Sequence, residues 1–200
     1  MTTWLHEQRL EAARKVVRDS GASTVLDLGC GDGDLLVRLL SERQIERVVG
    51  VDLCRASLGR LRERLDALEG EGMARVDLIH GCMTEGGAAL SGFDCAILIE
   101  TIEHIDPERL SGLERAVFVE MQPATVVVTT PNAEFNPLLG VPRHRFRHPD
   151  HRFEWDRARF RLWARGVAAR GGYDLTCYDI AGRHPVLGGA SQMAVFRRWP

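Results

Sequence analysis

Lysine is almost missing from this sequence. Lys15 is the single lysine among 26 basic side chains, so arginine carries nearly all of the positive charge. High genomic GC content could explain that bias but not where the arginines gather. Cysteine is sparse too. Cys30, Cys54, Cys82, Cys95 and Cys177 form no CxxC pair, and an odd number argues against a disulfide-stapled secreted scaffold. A reducing cytoplasm is therefore the expected compartment. No apolar run approaches the roughly 18 residues of a membrane span. The opening MTTWLHEQRLEAARKVV carries charges through its apolar positions, which reads as a helix rather than a secretion signal. No membrane partner is expected. Internal repeats and long low-complexity tracts are also absent.

What is there suits a globular core. The chain has 200 residues, 44% hydrophobic and 27% charged, which suits one moderate domain over 1–200 and is far from a disordered composition. The net charge of −2 by itself argues against a nucleic-acid partner, but the total hides a partition. Residues 1–142 hold 14 basic and 23 acidic side chains, a net −9, whereas residues 143–165 hold eight arginines against three acidic residues, a net +5. A local positive field attracts a polyanion whatever the total.

The element order is legible from periodicity. Helical spacing is predicted over residues 5–19, 35–40, 54–68, 107–119 and 156–170. Short apolar runs predict strands at 24–28, 47–51, 74–79, 93–99 and 124–130, with two more at 175–180 and 193–197. Residues 84–91 are too rich in Gly and Ala to assign. Strands alternating with helices, each strand nearly continuously apolar, indicate a mostly parallel α/β sheet covered on both faces. The last two strands are expected to pair as a hairpin that adds an antiparallel strand at one edge. The alternation breaks at 132–155, a connection far longer than α/β units usually need and rich in Pro, His and Arg. Such loops are commonly functional.

The first strand runs straight into Asp27-Leu28-Gly29-Cys30-Gly31-Asp32-Gly33. Glycines let a backbone approach a ligand, and the following helix turns its positive N-terminal end toward that space. Two cofactors compete for such a turn. A dinucleotide site uses GxGxxG to cradle pyrophosphate, but the spacing Gly29-x-Gly31-x-Gly33 departs from it, and Asp27 and Asp32 repel phosphates. Those carboxylates suit the sulfonium and amino-acid portions of S-adenosylmethionine, and Asp52 suits its ribose, although Asp52 could simply cap the helix starting near Cys54. VLDLGCGDG resembles the class I methyltransferase motif, which implies a Rossmann-like fold of seven strands. In such folds the residues after the third strand, here Cys82 and Met83, contact adenine; ordinary packing is the alternative.

The fourth strand ends in Ile99-Glu100-Thr101-Ile102-Glu103-His104-Ile105. If the chain turns at Glu100, its carboxylate can converge with the Glu103 carboxylate at i+3 and the His104 imidazole at i+4, a donor set that suits a divalent cation at the strand ends where open α/β sheets bind ligands. A helix cap or a solvated acidic turn is the other reading. The order differs from the HExxH of zinc peptidases. A further ligand could come from the long connection, which holds His144, His148 and His151. Of these His151, in His148-Pro149-Asp150-His151-Arg152-Phe153-Glu154-Trp155, is the clearest.

ETIEH, VTTPNAEFN and DHRFEW together resemble the metal-dependent small-RNA 3′-terminal ribose 2′-O-methyltransferases, over about residues 20–198. The resemblance implies that Glu100, Glu103, His104 and His151 bind Mg²⁺ or Mn²⁺. It implies an RNA 3′ end with free 2′- and 3′-hydroxyls as substrate, with residues 132–155 as the metal- and substrate-binding insert. It also implies an RNA end-healing and ligating protein as partner, and a 200-residue chain that is either a natural short protein or an isolated catalytic unit. Histidine ligands favour Mn²⁺ more than an all-oxygen site would. Arg143, Arg145, Arg147 and Arg152 are expected on RNA phosphates, with a solubilising surface as the alternative, and Asn132 on ribose. Phe153 and Trp155 are expected either to support His151 or to stack on a base. Phe135 is often tyrosine in that family, so any hydrogen bond from its hydroxyl is lost here. A small-molecule or protein methyltransferase, and an RNA-binding protein without catalysis, are the competing functions.

Overall fold

The computed structural model describes residues 3–68, 75–85 and 87–200. Helix α1 (Trp4–Ser20) starts where the Thr3 side chain accepts the His6 N–H and stops at Gly21, whose φ of 71° a helix cannot continue. Then come β1 (Thr24–Leu28), α2 (Asp34–Leu39), β2 (Arg47–Asp52), α3 (Arg55–Asp66), β3 (Val76–His80) and β4 (Cys95–Ile99). The remaining elements are α4 (Leu110–Arg115), β5 (Thr125–Pro131), α5 (Arg157–Gly171), β6 (Tyr173–Ile180) and β7 (Ser191–Arg198). The helix expected over 107–119 is composite: a 3₁₀ turn at Pro107–Arg109, then α4, then a π-helical segment Ala116–Met121. Of the strand expected at 74–79, residue 74 lies outside the described residues, as does residue 86 of the unassigned stretch.

One seven-stranded sheet runs in the order β3-β2-β1-β4-β5-β7-β6. Side chains alternate between its faces, as the twofold period of a strand requires. In β1, Val25 packs on one side with Leu10, Ala13 and Val17 of α1, while Leu26 and Leu28 pack on the other with Leu110 of α4 and Phe160 of α5. Residues Cys95 to Leu98, Val126 to Val128 and Met193 to Phe196 divide in the same way. That double burial is why the strands read as unbroken apolar runs. The expected hairpin is present at one edge of the sheet, in an order that sequence alone leaves open. Strand β7, antiparallel to both neighbours, lies between β5 and β6, and β6 forms the edge. A hairpin can enter a sheet by either strand, and apolar content favours β7: its first six residues are all buried, whereas β6 is largely half-exposed.

This order puts the topological switch between β1 and β4, which pair in parallel while their connections leave in opposite directions. Ligands bind at the carboxyl ends of strands at such a point. The glycine turn and the Glu100–His104 segment both start there. Residues 132–155 are closed at their base by a bridge between Asn132 and Trp155, with the Ala133 N–H donating to the Trp155 carbonyl at 3.1 Å.

Candidate active site

The glycine turn is shaped for close approach. Gly29, Gly31 and Gly33 hold φ of 81°, 52° and 79°. A Cβ on Gly29 would stand 2.7 Å from Thr101 Cγ2, and one on Gly33 would collide with Leu61, whereas one on Gly31 would meet nothing within 4 Å. Gly31 therefore faces open space, and the other two pack against protein. Asp52 fastens the turn, its Oδ2 accepting the Gly31 N–H at 2.8 Å while Oδ1 accepts the Cys54 N–H at 2.7 Å. Asp52 thus holds the entry to the next helix at the Cys54 N–H without capping that helix, and each oxygen keeps a lone pair for a ligand hydroxyl. Asp27 is 3% exposed and its Oδ2 has no hydrogen-bond partner. Burial, reinforced by the Asp52 charge, pushes its carboxyl up to about 7. A buried carboxylate without a donor is the environment that a cationic ligand group relieves. Asp32 instead pairs with Arg60 at the surface. Met83 is buried beside Gly29, and Cys82 Sγ lies 2.9 Å from Thr84 Oγ1.

At the end of β4 the chain turns sharply, with Glu100 at a φ of 49°, a conformation that costs a non-glycine residue energy. The strain aims its carboxylate at β5 and β7: Oε1 accepts the Thr129 hydroxyl at 3.0 Å and Oε2 the Ser191 hydroxyl at 3.3 Å, with Arg9 at 3.5 Å. A 3₁₀ turn, Ile102–His104, follows. Glu103 is fully buried; Oε2 accepts the Thr130 hydroxyl at 3.0 Å, and Oε1 has no partner. Burial and the neighbouring Glu100 charge raise its carboxyl well above the ordinary range.

The long connection brings imidazoles to this end. Donor atoms of His104, His148 and His151 all lie within 4.8 Å of one another. His151 is buried, and its Nδ1 lies 2.6 Å from Glu154 Oε1. Glu154 also accepts the Asn136 side-chain N–H at 2.6 Å and the Arg147 backbone N–H at 2.7 Å. Burial works to raise the Glu154 carboxyl, but the hydrogen bonds from His151, Asn136 and Arg147 outweigh it and hold it below the usual range. His104 is shifted downward, first by burial and then by the two neighbouring imidazoles. The structure thus joins His104 to His151 and adds His148. Glu100 and Glu103 form a carboxylate pair outside that triad.

A family model described as "Methyltransferase domain" matches residues 25–122. The small RNA 2′-O-methyltransferase of Rattus norvegicus is 38% identical over 97% of this chain and 51% of its own length. The methyltransferase domain of a bacterial Hen1, CtHen1-C, is 38% identical with a TM-score of 0.88, covering 98% of this chain and 100% of that one. The chain belongs to the Hen1 methyltransferase family. It spans about half the length of the curated relatives it matches. A chain of the Pnkp1/Rnl/Hen1 RNA repair complex, 21% identical with a TM-score of 0.70 over 97% of this chain and 42% of that one, shares the fold. Membership supports S-adenosylmethionine as the cofactor.

Within this Hen1-family chain, two expected RNA contacts need correction. Asn132 is fully buried, its amide donating to the Leu187 and Gly189 carbonyls at 2.8 and 2.9 Å while Oδ1 accepts the Glu134 N–H. Its polar capacity goes to backbone groups of the β6–β7 connection and of the insert, so it is scaffold. Arg147 points inward for the same reason: its guanidinium binds Asn136 Oδ1 and the carbonyls of Ala190 and Asn132. Arg143 and Arg145 instead line an open depression with Pro142 and Phe146, and Arg152 is exposed, 3.5 Å from Asp106. Phe153 and Trp155 stack on each other in the core at 4.2 Å between ring centroids, both buried. Sequence reasoning passed over Glu154 and Arg9. Glu154 carried a readable signal, standing three residues after His151 in the same motif. Arg9 is 91 positions from Glu100 and carried none.

Proposed function

We propose that this chain transfers a methyl group from S-adenosylmethionine to the 2′-hydroxyl of the 3′-terminal ribose of RNA, in a reaction that depends on Mg²⁺ or Mn²⁺. The observation that carries the reading is the convergence of His104 and His151, 47 positions apart, in a chain whose buried Glu103, next to His104 in sequence, has an oxygen without a partner. The buried Glu103, its carboxyl raised by burial and by the half-buried Glu100, and the paired imidazoles are donor types that suit a divalent cation. Glu100, Glu103, His104 and His151 would hold it. Bound there, it would engage the terminal hydroxyls and ease deprotonation of the 2′ oxygen.

The chain's own residues do the rest. Glu154 takes the Nδ1 side of His151 and leaves Nε2 free toward the site. Thr129, Thr130 and Ser191 fix the glutamates. Asp27 and Asp52 bind the amino-acid and ribose portions of the cofactor, with Cys82 and Met83 near its adenine. The 2′ oxygen, giving up its proton, attacks the sulfonium methyl carbon in line, an O–C bond forming as the S–C bond breaks and S-adenosylhomocysteine leaves. Arg143, Arg145 and Arg152 supply phosphate contacts from the 132–155 insert. DNA, without the 2′-hydroxyl, is excluded. Pairing with an RNA end-healing and ligating protein belongs to the same proposal, because 2′-O-methylation protects a repaired end. Matched RNAs ending in 2′-OH or 2′-H, offered with cofactor and cation, test the assignment: methylation is expected of the 2′-OH end alone. Equal transfer to both ends would sink it, and transfer to a protein or small molecule without RNA would favour the competing reading.

A further inference from the structure

The 132–155 insert holds four phenyl or indole side chains, and one of them stays outside. Phe135, Phe153 and Trp155 are buried, whereas Phe146 is 47% exposed. With Pro137, Val141, Pro142, Arg143 and Arg145 it lines an open depression of about 280 Å³. That is near the lower end of small-ligand pockets, room for one flat ring system. Arg143 and Arg145 are ion-paired to no acid among the described residues, while Arg147 turns inward and Arg152 lies beside Asp106. The polar side chains of the lining are spent on one another. Glu154 accepts from the Asn136 amide and the Arg147 backbone, and Asn136 Oδ1 accepts from the Arg147 guanidinium. The same Glu154 carboxylate is 2.6 Å from His151 Nδ1, so a single side chain lies between the depression and the His151 ring.

We infer that this depression holds the base of the penultimate nucleotide of the RNA, stacked on Phe146, an inference that rests on the terminal-ribose reading above. Its apolar walls and exposed phenyl ring suit the face of a base, and its two unpaired guanidiniums suit phosphates. A 3′-terminal nucleotide with free hydroxyls carries a phosphate on one side only. The nucleotide before it is the first with a phosphate on each side, which matches a ring site with two cations. Sharing Glu154 with His151 keeps the depression next to the terminal ribose rather than far along the strand. With Glu154 and Asn136 engaged, one Asn136 N–H is left to touch a base edge, and an acceptor on any base can meet it. Recognition is therefore by stacking and tolerates any sequence.

Fluorescence anisotropy with the full chain and a single-stranded RNA ending in free 2′- and 3′-hydroxyls reads the contact without catalysis. A stable abasic residue at the penultimate position is expected to weaken binding by about 5- to 150-fold, while the four natural bases there bind alike. Phe146→Ala should weaken intact RNA by a similar factor and abasic RNA no further, with an unchanged circular dichroism spectrum. Phe146→Trp should keep the intact RNA bound. An abasic RNA held as tightly as the intact one would overturn the inference whatever the variants do. So would losses that simply add, or non-additivity confined to the terminal base, in a wild-type chain that still methylates 2′-OH ends. Strong selection for one base would overturn stacking as the means of recognition. A wild-type chain that neither binds these RNAs nor methylates a 2′-OH end would bring down the terminal-ribose reading itself, and this inference with it.

Discussion

Replacing Asp27 with asparagine separates what the fold wants from what the site wants. The carboxyl is 3% exposed, and burial with the Asp52 charge moves its pKa from 3.8 to about 7. About three units at roughly 1.4 kcal/mol each amount to ~4 kcal/mol of linked free energy. The folded chain holds this proton more tightly than the unfolded chain does. The penalty is therefore absent below pH 3.8, grows as pH rises to about 7, and is complete above that. Asp27→Asn cannot ionise and escapes it. Urea denaturation at several pH values should show the variant gaining on wild type as pH rises from 4 to 7, by at most ~4 kcal/mol. Any packing cost of the amide is a pH-independent offset. Calorimetry with S-adenosylmethionine should show the opposite trend, because a charge-assisted bond worth about 1.5–3 kcal/mol is lost, a roughly 10- to 100-fold weakening. Parallel stability curves, or full cofactor affinity in the variant, would refute the reasoning.

Other residues give sharper contrasts. Glu154→Ala frees the His151 ring and should weaken Mn²⁺ binding by about 10- to 100-fold, read by paramagnetic resonance, while S-adenosylmethionine affinity holds. Arg147→Ala removes the guanidinium's bonds to Asn136 and to the Asn132 and Ala190 carbonyls, each of which keeps one backbone donor, and should cost roughly 2–4 kcal/mol in denaturation. Arg143→Ala and Arg145→Ala should instead spare stability and each lower the salt dependence of RNA binding by about one ion, measured by titration at several salt concentrations. Gly29→Ala meets both a φ of 81° and Thr101 at 2.7 Å, so a lost cofactor signal with raised sensitivity to urea is expected.

The arginines show where reading a sequence stops. Their concentration in 143–165 was visible as charge, but charge does not report direction. Arg147 and Arg145 are two positions apart, and one turns inward to three acceptors while the other lines an open depression. Arg157, in the same stretch, ties Glu134 to Asp179. The glycine turn and the Glu100–His104 segment were legible because each is a local motif at a strand end, where a few consecutive residues dictate both conformation and chemistry.

The sequence by itself determined the alternating α/β order, the cofactor turn, the carboxylates after β4 and the importance of the long connection, since all are written in periodicity or in short contiguous runs. Only the tertiary structure decided that β7 enters the sheet ahead of β6, that Asn132 and Arg147 serve the scaffold, and that His148 stands with His104 and His151. Those outcomes depend on which buried polar groups find partners across long stretches of chain. That competition is settled by desolvation and packing in three dimensions, and no local spacing records it.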